Sequence, residues 1–277
     1  LTKQQQTTET QWQNLRTAPG AWAVFETDKF MLNVPRDWVY AMEDPTRLLQ
    51  NWDKAMDGVS ELLGKKLIRN RKVLYLQVDV HIEHGVYGIG YPQVNNLYNP
   101  NEESHGKSSE WMLTDPSHWS VEYHELGHAQ LMTMFPGEGE AIVNFPHVYV
   151  RNVKFGVDFD TAFKESLQAS NYTLETSAVH WMITENFRQG NPMDLSNTTL
   201  DEFRYQHRGY GKYADIAKLF GWEALIKFFH QEELDFIAKK ESDNLDPVDS
   251  RIFRLSKAAG FDLTPLIHFW GIAPVNP

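Results

Sequence analysis

Apolar and polar positions follow two different periods along this chain, alternation in the first part and helical spacing later. Apolar side chains recur at every second position over 21–34, with a break at Thr27-Asp28-Lys29, and the alternation returns over 73–82. Both stretches predict short strands. Asp44-Pro45 opens a stretch in which apolar residues recur every three or four positions, and this spacing predicts a helix that ends at Gly64.

From Thr114 onwards the spacing is mainly helical. Asp115-Pro116 is a typical start signal, with Asp as the N-cap and Pro at the first helical position. The helix that it predicts runs to about Met134 and stops at Pro136-Gly137. Because the strands come first and the helices later, the sequence predicts an α+β fold.

This order of elements also predicts how the chain is divided. We expect a single domain over residues 19–277, in which a strand-rich lobe (19–112) and a helical lobe (113–277) enclose a cleft. Residues 1–18 are polar and rich in Gln and Thr, and we expect them to form a loosely packed N-terminal tail.

Net charge and the absence of cysteine exclude several classes of protein and of site. The formal net charge is −11, whereas nucleic acids and anionic membranes are bound by basic surfaces. The 277 residues include no cysteine, so any metal has to be held by His, Asp or Glu. No window of 18 or more uncharged apolar residues occurs, so the sequence predicts no membrane span. The start Leu1-Thr2-Lys3 is interpreted as that of a mature chain or an excised domain.

Two histidines four residues apart carry the clearest chemical signal, in His124-Glu125-Leu126-Gly127-His128. Residues at i and i+4 share one face of a helix, so both imidazoles can bind one Zn²⁺. Glu125 projects to a different side of the helix and can act as a general base, as in the HExxH motif of zinc proteases. A shuffled chain of the same composition would contain this motif with a probability of roughly 3%.

A catalytic zinc site needs a third protein ligand and leaves the fourth position to water. The candidates are Glu138, in the turn after Pro136-Gly137, and Glu140, at the start of the next helical stretch. We favour Glu140, because the break in the chain lets a second helix present its carboxylate to the first. Glu122 precedes the motif on the same helix and is predicted to point elsewhere.

Several segments together resemble one family of proteins. The HExxH motif and Glu140, with eleven residues between them, are similar to the enhancin and mucin-degrading metallopeptidases, a gluzincin group. The other segments that resemble this family are 21–35, Gly90-Tyr91-Pro92, 256–263 and Trp270-Gly271, so the similarity covers about residues 20–273. Two departures are Ala141-Ile142-Val143-Asn144, where the family often has Val-Thr-Asn-Asn, and Gln93, where an aliphatic residue is common.

The resemblance implies a gluzincin-type fold around a zinc cleft, and a secreted or cell-surface zinc endopeptidase that cleaves O-glycosylated proteins such as mucins. In that interpretation His124, His128 and Glu140 hold Zn²⁺ and Glu125 is the general base. Tyr91 and Trp111 lie in or near the segments that lead to the motif helix, where a flat aromatic ring can stack on a sugar. The net charge of −11 favours neutral or lightly charged O-glycans, and we expect a monomer.

The sequence leaves some alternatives open. The donor that would stabilise the oxyanion cannot be chosen among six residues, which are Tyr149, His180, Tyr205, His207, Tyr210 and Tyr213. The chain can also be a general secreted gluzincin that needs no glycan, or a non-catalytic glycan-binding module on the same fold. The intact motif and Glu140 speak against the non-catalytic alternative.

Overall fold

The structure is a computed structural model, and it describes most but not all of the chain. The described residues are 7–64, 74–79, 81, 86–87, 93–96, 112–118, 122–131, 139–166, 172–193, 206–238 and 245–276. Contacts between Cα atoms divide the chain into two compact units. Unit 1 comprises Leu1–Met56 and Leu67–Glu122, and unit 2 comprises Asp57–Lys66 and Tyr123–Pro277. The last division along the chain, after Glu122, lies ten residues beyond the predicted boundary at 112–113. The grouping of both parts into one catalytic domain stays a prediction.

Unit 1 is built on a small mixed sheet. Its strands are β1 (Trp22–Glu26), β2 (Phe30–Pro35), β3 (Leu74–Asp79), β4 (Val86–Tyr87) and β5 (Gln93–Asn96). Within the described residues the spatial order is β1-β2-β3-β5-β4. The β1–β2 and β4–β5 pairs are antiparallel, whereas β2–β3 and β3–β5 are parallel. The strands predicted from alternation over 21–34 and 73–82 are therefore confirmed.

The turn between β1 and β2 forms where the alternation breaks. The hydroxyl oxygen of Thr27 accepts hydrogen bonds from the backbone N–H groups of Lys29 (3.2 Å) and Phe30 (3.0 Å). Phe30 then stacks on Trp52, with ring centroids 4.6 Å apart, and both side chains are fully buried. Trp52 belongs to α2 (Thr46–Leu63), the helix predicted after Asp44-Pro45. The N-terminal part of α2 is thus packed against β2 through these two rings.

The N-terminal segment is ordered where we expected a loose tail, so that prediction is wrong for residues 9–15. Helix α1 (Glu9–Leu15) begins at a capping box, in which Thr8 and Gln11 bond each other's backbone N–H groups. Trp12 is buried against Phe25 at 5.3 Å between ring centroids, and its indole N–H donates to the carbonyl of Met42 at 2.9 Å. A single large apolar side chain in a polar segment is enough to dock this helix.

The predicted helix start at Asp115-Pro116 is also wrong. Residues 113–118 form turns, and the motif helix, α3, is Glu122–Leu131. The Asp115 carboxylate accepts from the backbone N–H of Ser117 at 2.9 Å and from the side chain of Asn51 at 2.6 Å. Asp115 therefore stabilises a local turn, a role that competes with N-capping for this residue type.

Unit 2 is helical in the part that the structure describes. After α3 come α4 (Gly139–Ile142), α5 (Phe145–Tyr149), a π-helical segment (Val150–Lys154), α6 (Phe159–Lys164), α7 (Leu174–Met182), α8 (Glu185–Gln189), α9 (Gln206–Phe220), α10 (Trp222–Ile237), α11 (Pro247–Ala259) and α12 (Thr264–Phe269). A small sheet followed by many helices confirms the α+β prediction. Of the described helices, none is long and apolar enough to cross a lipid bilayer.

An aromatic cluster supports the segment that follows α3 in sequence. Phe145, at the start of α5, is fully buried, with its ring centroid 5.6 Å from that of Trp222, 5.7 Å from Tyr213 and 6.3 Å from Phe229. These rings belong to α9 and α10, and α9 also packs against α4. The 139–149 segment consequently packs against two long helices, α9 and α10.

Candidate metal centre

The two histidines of the motif lie side by side on α3, as their spacing predicted. Their ring centroids are 4.6 Å apart with the planes nearly perpendicular, and the two Nε2 atoms are separated by 3.0 Å. His124 is 8% exposed, and His128 is half-buried beside it. The helix alone therefore brings two imidazole nitrogens to one point.

Glu140 completes a group of three donors from a different helix, α4. Its carboxylate Oε2 lies 3.2 Å from Nε2 of His124 and 3.7 Å from Nε2 of His128. Among the described residues, these three form the group of ligand-type side chains that can hold one metal ion. We call His124, His128 and Glu140 the donor cluster. Glu138, the other candidate for third ligand, lies outside the described residues.

The spacing of the donor cluster fits a tetrahedral metal. Bonds of about 2.0–2.1 Å in tetrahedral geometry place any two ligand atoms about 3.3–3.4 Å apart. The three separations are 3.0, 3.2 and 3.7 Å, which scatter around that value. Two imidazoles and one carboxylate are also a donor set that binds Zn²⁺. These separations are compatible with zinc binding. The assignment of the three residues as zinc ligands stays a prediction.

Asn144 ties the two parts of the donor cluster together. Nδ1–H of His124 donates to the side-chain oxygen of Asn144 at 2.8 Å, which turns the other ring nitrogen, Nε2, toward Glu140. The side-chain NH₂ of the same Asn donates to the backbone carbonyls of Glu140 (2.9 Å) and Ala141 (3.3 Å). Asn144 is 1% exposed, so this amide bridges α3 and α4 away from solvent.

Neighbouring groups shift the pKa values of the donors in different directions. Burial lowers the pKa of His128, which favours the neutral imidazole that a metal requires. The hydrogen bond with His124 holds the pKa of Glu140 below its ordinary value, so the carboxylate is ionised at neutral pH. Burial disfavours the charged form of His124, but hydrogen bonds to Glu140 and Asn144 outweigh it and raise the pKa of this residue.

Glu125 lies next to the donor cluster without belonging to it. Its side chain is 8% exposed, and its charge contributes to the raised pKa of His124. This placement agrees with the divergence of i and i+1 on a helix. Its role as a general base stays a prediction.

The other predicted site residues either lie outside the described residues or make contacts of their own. Tyr91, Trp111 and Tyr205 lie outside the described residues, as does the side chain of His207. The hydroxyl of Tyr149 donates to Glu61 at 3.1 Å, and burial raises its pKa. His180 stacks on Tyr172 with ring centroids 4.4 Å apart.

Two more of the oxyanion candidates are core residues. Tyr210 is fully buried and its hydroxyl forms a hydrogen bond with Ser166, while burial raises its pKa. Tyr213 is fully buried in the aromatic cluster around Phe145. The choice of an oxyanion donor therefore stays open.

Sequence reasoning missed Asn144 as a partner of the site. The signal was present, because Asn144 follows Glu140 by four residues and helical spacing would place both on one face. It was missed because an amide is not itself a ligand of the expected zinc type.

The comparisons with known proteins place the fold and this cluster in context. The profile of the Peptidase M60 family, described as enhancin and enhancin-like, matches residues 3–271. The chain belongs to this family. The resemblance found from the motifs is thus confirmed, and M60 membership agrees with a peptidase fold built around a metal.

Curated relatives of this M60 chain are named as channel-associated factors and not as peptidases. A TRPM8 channel-associated factor homolog from Xenopus laevis is 29% identical over 266 residues, and TRPM8 channel-associated factor 3 from Mus musculus is 26% identical over 269 residues. The matches cover 94% and 96% of this chain but 26% and 27% of those proteins. The chain thus spans about a quarter of the length of the curated relatives it matches.

Solved structures of M60 metallopeptidases share the fold. The M60 catalytic domain of Clostridium perfringens ZmpC, in complex with the sialyl T antigen, has a TM-score of 0.59 at 13% identity and matches 97% of this chain and 49% of that one. A metallopeptidase in complex with Tn antigen has a TM-score of 0.61 at 17% identity, covering 98% of this chain and 49% of that one. At these identities the likeness establishes the fold.

Proposed function

We propose that this chain is the catalytic part of a zinc metalloendopeptidase that cleaves O-glycosylated proteins. The observation that carries the proposal is the donor cluster, in which two Nε2 atoms and one carboxylate oxygen lie at separations of 3.0, 3.2 and 3.7 Å. The neighbouring Glu125 is buried, and its charge acts on His124. Membership of the M60 family supports a peptidase.

The residues of this chain have distinct roles in the proposed reaction. His124, His128 and Glu140 would hold the zinc ion, which would supply Lewis-acid chemistry to a water molecule near neutral pH. The Glu125 carboxylate accepts a proton from the attacking water and returns it to the leaving amine. Asn144 keeps Nε2 of His124 directed toward the cluster by accepting a hydrogen bond from Nδ1–H.

The substrate class rests on two observations. M60 structures similar to this chain contain the sialyl T and Tn antigens, which supports an O-glycosylated protein as the substrate. The net charge of −11 favours neutral or lightly charged glycans over sialylated ones, because like charges repel. A secreted or cell-surface location and a monomeric state belong to the same proposal.

The test is a cleavage assay on a mucin-type glycoprotein in three forms: sialylated, desialylated, and freed of its O-glycans. The 277-residue chain is expected to cut the desialylated form best and the deglycosylated form not at all, with the products identified by mass spectrometry. A zinc chelator is expected to stop the reaction. Equal cleavage of all three forms would select a general gluzincin protease instead.

Glu125→Gln is the matched inactive control. The amide has nearly the same shape but cannot accept a proton, so we expect a loss of about 100- to 10,000-fold in hydrolysis with unchanged zinc content. Zinc content is measured by elemental analysis of the purified chain. Full activity in this variant would remove Glu125 from the proposed mechanism.

A second candidate function is association with another protein without catalysis. It is favoured by the name of the curated relatives, which are TRPM8 channel-associated factors at 25–29% identity. A chain that folds, contains no zinc and cuts none of the three substrates would select this candidate. Stoichiometric zinc together with cleavage would exclude it as the sole function.

A further inference from the structure

The helix that carries the two histidines makes an unusually close contact with the segment that carries Glu140. Gly127 lies on α3 between His124 and His128, and it faces the backbone of Val143, three residues after Glu140. A Cβ atom placed on Gly127 would lie 2.7 Å from Cβ and 2.8 Å from Cα of Val143, and closer still to the carbonyl oxygen of Val143. Two of these three atoms belong to the backbone, so no side-chain rotation relieves the contact.

The contact occurs at the point where the donor cluster is assembled. Val143 is 0% exposed, and the neighbouring Phe145 and Ile142 are also fully buried. Asn144, the next residue, bonds both His124 and the carbonyl of Glu140. The 139–145 segment therefore contacts α3 at Gly127, and it is also anchored by Phe145 in the aromatic cluster.

The distances indicate how much a side chain here would displace this segment. Ordinary van der Waals contact with a Cβ begins at 3.4 Å, so a separation of 2.7 Å has to grow by about 0.7 Å. A metal site tolerates deviations of about 0.2 Å in its ligand distances. The displacement that a single methyl group demands thus exceeds what the donor cluster can absorb.

We propose that Gly127 is a positioning residue, whose missing side chain lets the 139–145 segment approach α3 closely enough for Glu140 to act as the third metal ligand. This inference deepens the proposed function and rests on its zinc site. Gly127 touches neither metal nor substrate and acts through Val143 and Glu140. Helix propensity alone argues the opposite, because Ala is a much better helix former than Gly.

Gly127→Ala is the variant that tests the proposal, with Zn²⁺ affinity of the full 277-residue chain measured by competition with a chromophoric chelator. We expect affinity to fall by about 10-fold or more, in the range found for residues that orient ligands. In a Glu140→Ala background the same substitution is expected to cause no further loss, because the ligand on which it acts is already gone. The Co²⁺-substituted Gly127→Ala chain should show a visible spectrum close to that of Glu140→Ala.

A matched control separates positioning from general packing. Gly211 is also a buried helical glycine of unit 2, and a Cβ there would lie 2.8 Å from the ring of Trp270. Gly211→Ala is expected to lower the thermal midpoint of the metal-free chain and to leave Zn²⁺ affinity unchanged. If both Gly→Ala variants weaken zinc binding equally, a general packing defect explains the effect and the proposal is overturned.

A further variant covers the case in which Gly127→Ala does not fold. Combining it with Val143→Gly removes the one side-chain atom of this contact and gives the backbone at 143 more freedom, so the double variant is expected to fold. Its zinc affinity should stay below the wild-type value, because both backbone contacts remain. Wild-type affinity in Gly127→Ala, or an equal loss in the Glu140→Ala background, would overturn the proposal. So would a double variant that folds and binds zinc as tightly as the wild type.

None of these measurements uses a substrate, so the two proposals fail separately. A chain that binds zinc but cuts no glycoprotein contradicts the proposed function and leaves the role of Gly127 to the affinity data. An unsubstituted chain that binds no zinc contradicts both.

Discussion

Asn144 shows how a single residue can decide the chemistry of a site to which it contributes no ligand. Its side-chain oxygen accepts from Nδ1–H of His124, and its NH₂ group donates to the backbone of Glu140. The first bond fixes the tautomer and ring orientation of one ligand, and the second fixes the helix turn that presents another. A neutral amide does both, because it carries an acceptor and two donors.

At this scale we expect Asn144→Ala to weaken Zn²⁺ binding by about 10- to 100-fold, because a metal-bound imidazole loses the partner of its second nitrogen. The measurement is chelator competition on the purified chain. Asn144→Asp keeps the acceptor for His124 but loses the donors to the carbonyls of Glu140 and Ala141, so its affinity should lie between those of the wild type and of Asn144→Ala. Asn191→Ala removes an exposed amide that donates to Gln189 at 3.1 Å, and it serves as the control. Unchanged affinity in Asn144→Ala would contradict the orienting role.

Helix α1 shows that a single residue can also decide whether a whole helix is docked. Its seven residues are mostly polar and gave no signal of a core helix, yet Trp12 is buried on Phe25 and bonds the carbonyl of Met42. A short isolated helix is marginal in water, so it is the docking of this side chain that keeps the element formed.

We therefore expect Trp12→Ala to lower the free energy of unfolding by about 3 kcal/mol, the usual cost of removing a buried large side chain. Urea denaturation followed by circular dichroism measures it. Leu15 lies on the same helix but is 49% exposed, so Leu15→Ala should change the value by less than about 0.5 kcal/mol. Equal stability of both variants would mean that α1 is not docked through Trp12.

At the scale of the whole molecule, all three members of the donor cluster belong to unit 2, whereas the sheet belongs to unit 1. A metal that binds only the native state raises the free energy of unfolding of the unit that holds it. At a free zinc concentration 100 times the dissociation constant, the gain is about 2.7 kcal/mol.

Removal of zinc by a chelator should consequently destabilise unit 2 more than unit 1. We expect protection from hydrogen exchange to fall by up to about 100-fold in α3 and in residues 139–149, while β1 and β2 change little. Mass spectrometry of exchanged peptides reports both regions in one experiment. His128→Ala removes a ligand, so the chelator should have no effect on that variant. Equal loss of protection in β1 and β2 would show that the metal stabilises both units alike.

Local rules recovered much of this protein from its sequence. Alternation predicted β1, β2 and β3, and helical spacing predicted α2, because the repeat of apolar side chains is set by the local backbone of each segment. The motif placed His124 and His128 together for the same reason, since residues at i and i+4 meet on any helix. The local rules failed at Asp115, where a turn and a helix cap use the same carboxylate chemistry.

What the sequence determined by itself is the set of ligand types and the pair of histidines, because these depend on covalent spacing along one helix. The tertiary structure decided that Glu140 reaches that pair, that Asn144 joins them and that Gly127 allows the approach. Those contacts are between different helices, and their distances depend on how the 139–145 segment packs against α3 and the aromatic rings around Phe145. No periodicity along the chain encodes such a distance, since the distance results from many packing contacts between helices.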